Sequence, residues 1–209
     1  GILMAEAYGV PIPHLLDYLN PGDILTHTFH GSFRFPLFDH KGKIFPAVRD
    51  AVDRGVYLDI GHGARGFAFR TLEQALDQGI RPGTISTDLH ALNVDGPVYD
   101  MPTAMSKMLA VGLGLEEVIE MSTAAAARAI RQEGTLGTLA PGAAADIVVS
   151  RLENGEFVYL DVLHEKRVGK RRIVPETVIY GGEIYCGRRY EPGKMIHRVT
   201  APPGFVQPD

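Results

Sequence analysis

Within the first 90 residues, three apolar runs of strand length end on a histidine or an aspartate: Asp23-Ile24-Leu25-Thr26-His27, Val56-Tyr57-Leu58-Asp59-Ile60-Gly61-His62-Gly63 and Thr84-Ile85-Ser86-Thr87-Asp88. Amphipathic stretches separate them at intervals of about 30 residues, the period of a βα unit rather than of a solenoid repeat. An earlier run, from Ile2 to Ala5, reads as a further strand, and the chain enters on it without a polar lead-in. Helices are expected over 13–19, 45–55, 68–78, 101–112 and 115–131. The second carries Pro46 near its start and Gly55 just past its end, the usual punctuation of a helix. Met101, Met105 and Met108, at helical spacing, read as core rather than as a ligand cluster. The pattern predicts an α/β fold on a parallel sheet.

The character changes at Gly134-Thr135-Leu136-Gly137. Short β-type runs follow, Asp146-Ile147-Val148-Val149, Val158-Tyr159-Leu160 and Val178-Ile179-Tyr180, separated by Gly, Pro and charged residues. The expected organisation is therefore an α/β unit over 1–133, a small all-β unit over 134–190, and an extended, Pro-rich tail over 191–209. Tyr159, Tyr180 and Tyr185 are expected to cover the core of the β unit. The basic run Lys166-Arg167-Val168-Gly169-Lys170-Arg171-Arg172 reads as a solvated turn between two strands. It lacks interleaved aromatics, and the net charge is −4, so nucleic acid is not an expected partner.

A single cysteine, Cys186, excludes an intramolecular disulfide framework and fits a reducing compartment, the cytoplasm by default. No apolar stretch reaches the roughly 18 residues of a membrane span, and residues 1–8 lack the basic start of a signal peptide. A membrane partner is not expected.

Strand ends in a (β/α) barrel face one active-site mouth, so His27, His62 and Asp88 would converge there although distant in sequence. Each alone is compatible with a hydrogen-bonded structural residue; together they suggest a metal or catalytic site. Neutral imidazoles suit zinc. A carboxylate can both ligate a metal and take a proton from water that the metal has acidified.

The segments Leu25-Thr26-His27-Thr28-Phe29-His30-Gly31, Asp59-Ile60-Gly61-His62-Gly63, Ile85-Ser86-Thr87-Asp88-Leu89-His90 and Gly137-Thr138-Leu139-Ala140-Pro141-Gly142-Ala143-Ala144-Ala145-Asp146-Ile147-Val148 resemble the amidohydrolase superfamily, most closely its deacetylase branch, related to dihydroorotases. The resemblance runs from about Asp23 to Tyr185. It implies a (β/α)8 TIM barrel of the metal-dependent hydrolase type, here strands five to eight, with a small all-β domain assembled from both chain ends. It also implies two divalent metals, read as zinc, held by a His-x-His pair on strand one, a carboxylated lysine on strand four, histidines on strands five and six and an aspartate on strand eight. Counting back from Asp88 on strand eight places His62 on strand seven and His27 on strand six. By that resemblance His27 is a metal ligand, and Asp88 is both ligand and general base. His62 falls where a ligand is not usual, so a substrate or oxyanion contact is favoured over a metal role. His90 and Arg34 are expected substrate contacts, the arginine suited to a carboxylate; for both, and for His30, a surface or loop role is the plain alternative. Residues 96–103 resemble the loop bordering the pocket.

The departures are equally specific. No His-x-His occurs, and Lys41, Lys43 and Lys107 lie outside the region where the strand-four lysine would fall. Met4, Ala5 or Glu6 occupies the place of the strand-five histidine, with Glu6 a conceivable ligand. The expectation is that strands one to four and part of five are not in this sequence. A half barrel would expose an unpaired edge, so the chain should need a partner, either further copies in a homo-oligomer or a complementing N-terminal half. The expected reaction is hydrolysis of an amide or ester, of an N-acyl amino acid or acylated hydroxy acid, by metal-bound hydroxide on a small-molecule substrate. The alternatives are a cyclic-amide hydrolase of dihydroorotase type and a catalytically silent assembly module.

Overall fold

The computed structural model describes residues 1–5, 10–32 and 36–186. Strands β1 (Ile2–Met4), β2 (Ile24–Thr26) and β3 (Tyr57–Leu58) form a parallel sheet in that order. Ile2 lies opposite Ile24, and Leu25 opposite Leu58. Residues 84–87 continue the sheet. Asp59 bridges Thr84 in parallel, and the amides of Ile60, His62 and Gly63 donate to the carbonyls of Thr84, Ser86 and Thr87.

Helices α1 (Ile12–Leu16), α2 (Pro46–Asp53) and α3 (Phe69–Leu76) connect these segments. In α2, Pro46 occupies the first turn, where its missing N–H costs nothing, and Gly55 closes the end at φ +91°. Val48 and Ala51 of α2, and Phe69, Leu72 and Ala75 of α3, are buried in one core with Leu25, Leu58, Ile60 and Ile85. Helix α4 (Met101–Ala110) is capped by the Asp100 side chain, which accepts from the Thr103 amide at 2.7 Å. Met108 is buried, and Met101 and Met105 pack against the core. The expected helix over 115–131 is two, α5 (Leu115–Ser122) and α6 (Ala124–Ala129). They break at Thr123, at φ −130° and ψ −91°, whose hydroxyl bonds back to the Ile119 carbonyl at 2.6 Å.

The β region departs further from expectation. Instead of short runs it forms two long antiparallel strands, β4 (Ile147–Leu160) and β5 (Lys166–Tyr180), followed by β6 (Glu183–Cys186). The basic run is not a turn. It lies inside β5, where Arg172 reaches Glu153 at 2.6 Å and Lys170 reaches Glu156 across the hairpin. Arg172 also stands over the Phe157 ring, 4.6 Å from its centroid. Such exposed pairs are each worth ~1 kcal/mol or less; they make polar strand positions tolerable rather than stable. The actual turn, 161–165, is organised by Asp161, which accepts from the amides of Leu163 and Glu165 and, outside the hairpin, from the amide of Phe69 at the head of α3. Tyr159 is buried, Tyr180 exposed and Tyr185 half-buried. Tyr159 and Ile173 join the same core as the helices. Among the described residues, no helix is long and apolar enough to cross a membrane.

The strands are held by a side chain as well as by their ladders. Asp59 is buried; its Oδ1 accepts from the Thr84 hydroxyl at 2.7 Å, and its Oδ2 from those of Thr26 and Ser86 at 2.7 and 2.6 Å. Replacing Asp59 with Ala orphans three hydroxyls around a new void and is expected to cost about 2–5 kcal/mol, measured as a shift in the urea unfolding midpoint. A change within 0.5 kcal/mol would show the network to be dispensable.

Candidate metal centre

His27 directly follows β2, and Asp88 ends the segment 84–87 that pairs beyond β3. Both stand at the C-terminal ends of parallel strands, and His27 Nε2 lies 3.8 Å from Asp88 Oδ2. His27 is buried, whereas the Asp88 side chain is 49% exposed. Both have left-handed backbones, at φ +56° and +44°. Histidine and aspartate reach that region more readily than most residues, but it remains sparsely used and gathers at functional sites.

Bare backbone holds both side chains. A Cβ added at Gly66 would collide with His27 Nδ1, and one at Gly61 would stand 2.7 Å from the His27 amide. At Gly63 it would lie 2.5 Å from Asp88 Oδ2 and 3.2 Å from His27 Cε1. The loop 61–66 therefore wraps the Nδ1 edge of the imidazole. Behind Asp88, the buried Asn93 donates from Nδ2 to the Asp88 carbonyl at 2.8 Å and accepts from the His90 amide at 2.9 Å. Together His27 and Asp88 border a cleft of about 490 Å³, with Thr26, Asp59 and Ser86 on its polar side and Ile2, Met4, Ile24 and Ile130 on its apolar side.

His62 stands elsewhere. Its ring is fully buried, 5.0 Å from that of Phe67; Nδ1 lies 3.0 Å from the Gly63 carbonyl and Nε2 2.7 Å from Lys107 Nζ. The expected substrate contact thus has no exposed surface, and both its ring nitrogens have partners within the chain. His90 is exposed, and its Nδ1 accepts from the Leu92 amide at 3.2 Å. His30 is buried, its Nδ1 accepting from the Ser32 amide at 3.1 Å. Arg34 and Glu6 lie outside the described residues. The structure thus brings His27 and Asp88 together and leaves the His62 ring out.

Lys107 was placed in the sequence only as a lysine in the wrong region for the strand-four ligand. It is 1% exposed on α4 and donates to the Pro97 carbonyl at 2.6 Å as well as to His62. Burial lowers its pKa to about 7, against the opposing pull of Asp161 and Asp100. Burial, assisted by Lys107, lowers that of His62 to about 3.

The sequence profile of the amidohydrolase family matches residues 68–184. The chain belongs to the amidohydrolase family. It is 38% identical to a deacetylase of Enterococcus faecalis over 189 residues, which cover 88% of this chain and 50% of that protein. A deacetylase of Agrobacterium fabrum is 34% identical, over 85% of this chain and 43% of its own length. Among solved structures, an adenine deaminase aligns with TM-score 0.83 at 35% identity, over 89% of this chain and 51% of its own. A dihydroorotase aligns with TM-score 0.77 at 30% identity, over 91% and 49%. This amidohydrolase chain thus spans about half the length of the curated relatives it matches.

Amidohydrolases generally use divalent metals. Among the described residues no cluster of 3 or more His, Cys, Asp or Glu side chains could hold a metal, and His27 and Asp88 stand as a facing pair. An imidazole nitrogen and a carboxylate oxygen facing each other at a strand-end cleft fit such an ion.

Two outcomes follow. Gly63→Ala places a Cβ against Asp88 in a left-handed backbone, so any divalent-metal affinity of this cleft, read by chelator competition, should fall about tenfold or more, about 1.4 kcal/mol. Unchanged affinity would disprove the close packing. For pH, unfolded His62 takes a proton near 6.5 and the folded ring only near 3, so the unfolded chain binds more protons between these values. Its contribution is present above pH 6.5 and lost as pH falls toward 3. His62→Gln, which can still accept from Lys107, should flatten the acid limb of stability against pH.

Proposed function

We propose that this chain forms part of the catalytic barrel of a metal-dependent amidohydrolase that cleaves an acyl amide or ester, of an N-acyl amino acid or acylated hydroxy acid. The carrying observation is the approach of His27 Nε2 and Asp88 Oδ2 at adjoining strand ends over one cleft. In this reading the four parallel segments are strands five to eight of an eight-stranded barrel and residues 134–190 belong to a small composite β domain; the expected tail, 191–209, lies outside the described residues.

A divalent cation, zinc in this reading and one of two, supplies Lewis acidity that brings the pKa of water toward neutrality. His27 presents Nε2 to it while loop 61–66 occupies the other edge of the ring. Asp88 presents a half-exposed carboxylate within the cleft, placed to accept a proton from water and return it to the leaving amine or alkoxide. His90 and Arg34 remain proposed substrate contacts. The remaining ligands are assigned to polypeptide outside these 209 residues, in a complementing N-terminal half or another copy. The half-length match to the relatives and the exposed Ile2 and Met4 on β1 support that assignment.

The names of the deacetylase relatives favour acyl transfer to water. The likeness to a dihydroorotase and an adenine deaminase keeps a cyclic-amide or amidine substrate as the second reading. A panel of N-acetyl amino acids, acetylated hydroxy acids, cyclic ureides and adenine, assayed on the whole gene product with zinc, separates them. Asp88→Asn should lower turnover by roughly 100-fold or more while the fold persists, the range for losing a general base. Turnover within threefold of the parent would sink the assignment.

A further inference from the structure

Lys107 is the charged side chain on α4 that the proposed chemistry does not use, and it is among the largest fully buried side chains of the protein. A lysine held so deeply for packing alone is an expensive choice. Apolar replacements of similar volume for buried charged groups are often neutral or stabilising. Its two contacts show what it joins. Through His62 Nε2, at 2.7 Å, it holds the residue between Gly61 and Gly63, whose backbones press on His27 and Asp88. Through the Pro97 carbonyl, at 2.6 Å, it holds the loop 88–100. That loop is bonded through Asn93 to the Asp88 carbonyl, and the amides of Gly96 and Tyr99 donate to the Asn93 carbonyl. One amine therefore ties the loop behind His27 to the loop behind Asp88.

The contact also fixes a proton. The Gly63 carbonyl, 3.0 Å from Nδ1, can only accept, so the ring proton sits on Nδ1, and Nε2 then accepts from the Lys107 amine, which carries N–H donors whether or not it is charged. The imidazole is oriented at both ends, and the Gly61–His62–Gly63 backbone with it.

We propose that Lys107 is a positioning residue for the metal centre: by donating to His62 Nε2 it locks that ring in the Nδ1–H tautomer and pins the glycine loop that grips His27 and Asp88. The inference rests on His27 and Asp88 being metal ligands, as proposed above. Groups hydrogen-bonded directly to metal ligands are commonly worth about 10–100-fold in affinity; Lys107 acts one contact further out, so the low end, about tenfold, is expected.

The test uses the whole gene product and two variants. Lys107→Met keeps the bulk and removes the donor; Lys107→Gln restores an N–H that can reach His62. Three quantities are read: zinc affinity by competition with a chromogenic chelator, the thermal midpoint without metal, and the His62 tautomer by long-range 1H–15N NMR. In the parent, His62 should be a single Nδ1–H tautomer. In Lys107→Met the tautomers should mix and zinc affinity should fall about tenfold, with the metal-free midpoint close to that of the parent. Lys107→Gln should recover both tautomer and affinity to within about threefold of the parent. Unchanged zinc affinity in Lys107→Met, or equal losses in both variants, overturns the proposal. An Nε2–H tautomer in the parent overturns it even if Lys107→Met does not fold. Failure of the parent to bind zinc would instead refute the metal-ligand reading, while the tautomer readout still decides whether Lys107 locks His62.

Discussion

The ladders of this parallel sheet are short, with three aligned pairs between β1 and β2 and two between β2 and β3. Backbone bonds beyond them, such as that from the Asp59 amide to the Leu25 carbonyl and from the His62 amide to the Ser86 carbonyl, carry the register to the strand ends. The Asp59 side chain reinforces it, accepting hydroxyl protons from the strand before it and the strand after it. Two of its partners sit next to the chemistry: Thr26 immediately precedes His27, and Ser86 lies two residues before Asp88. The network that aligns three strands thus also sets how far apart the imidazole and the carboxylate emerge. A buried acidic side chain with three donors is costly to leave unpaired, which makes the alignment cooperative with folding rather than adjustable after it.

Beyond that alignment, the site is held from behind. The core places Phe67 and Phe69 edge to face, 5.3 Å between centroids, with His62 against Phe67. Asp161 fastens the hairpin turn to the amide of Phe69, and Arg167 pairs with Glu73 of the same helix at 2.6 Å through both Nε and Nη2. The β hairpin is therefore braced against the same helix whose N-terminal approach forms the loop around His27.

Much of this was readable from the residues. The βα period, the strand ends at His27 and Asp88, the helix punctuated by Pro46 and Gly55, and the switch to β structure after Gly134 all follow from periodicity and turn chemistry. The misses have physical causes. Strand positions in β4 and β5 carry Arg, Lys and Glu because their partners lie across the hairpin, a relation invisible along the chain. The helix over 115–131 breaks at Thr123, a residue that propensity alone does not single out. Asp59 and Asp161 look like ordinary surface acids until three donors are seen around each. Lys107 sits between Ser106 and Met108 on a mostly apolar helix, and a lone lysine there is the signal along the chain for a buried amine. The place of His62 at a strand end does not reveal that its ring is buried against Phe67 and Lys107 while its flanking glycines lie against His27 and Asp88.

The left-handed backbones at His27 and Asp88 restrict what these positions can become. Glutamate, cysteine or a longer donor would be acceptable to a divalent ion, yet each would have to be carried on a main chain that bulky or branched residues adopt only with strain. The torsions of the strand end thus limit the side chains these positions accept, whatever the proposed coordination would allow. An exchange of metal preference in such a site would be reached more easily by altering the residues that surround these two than by replacing either of them.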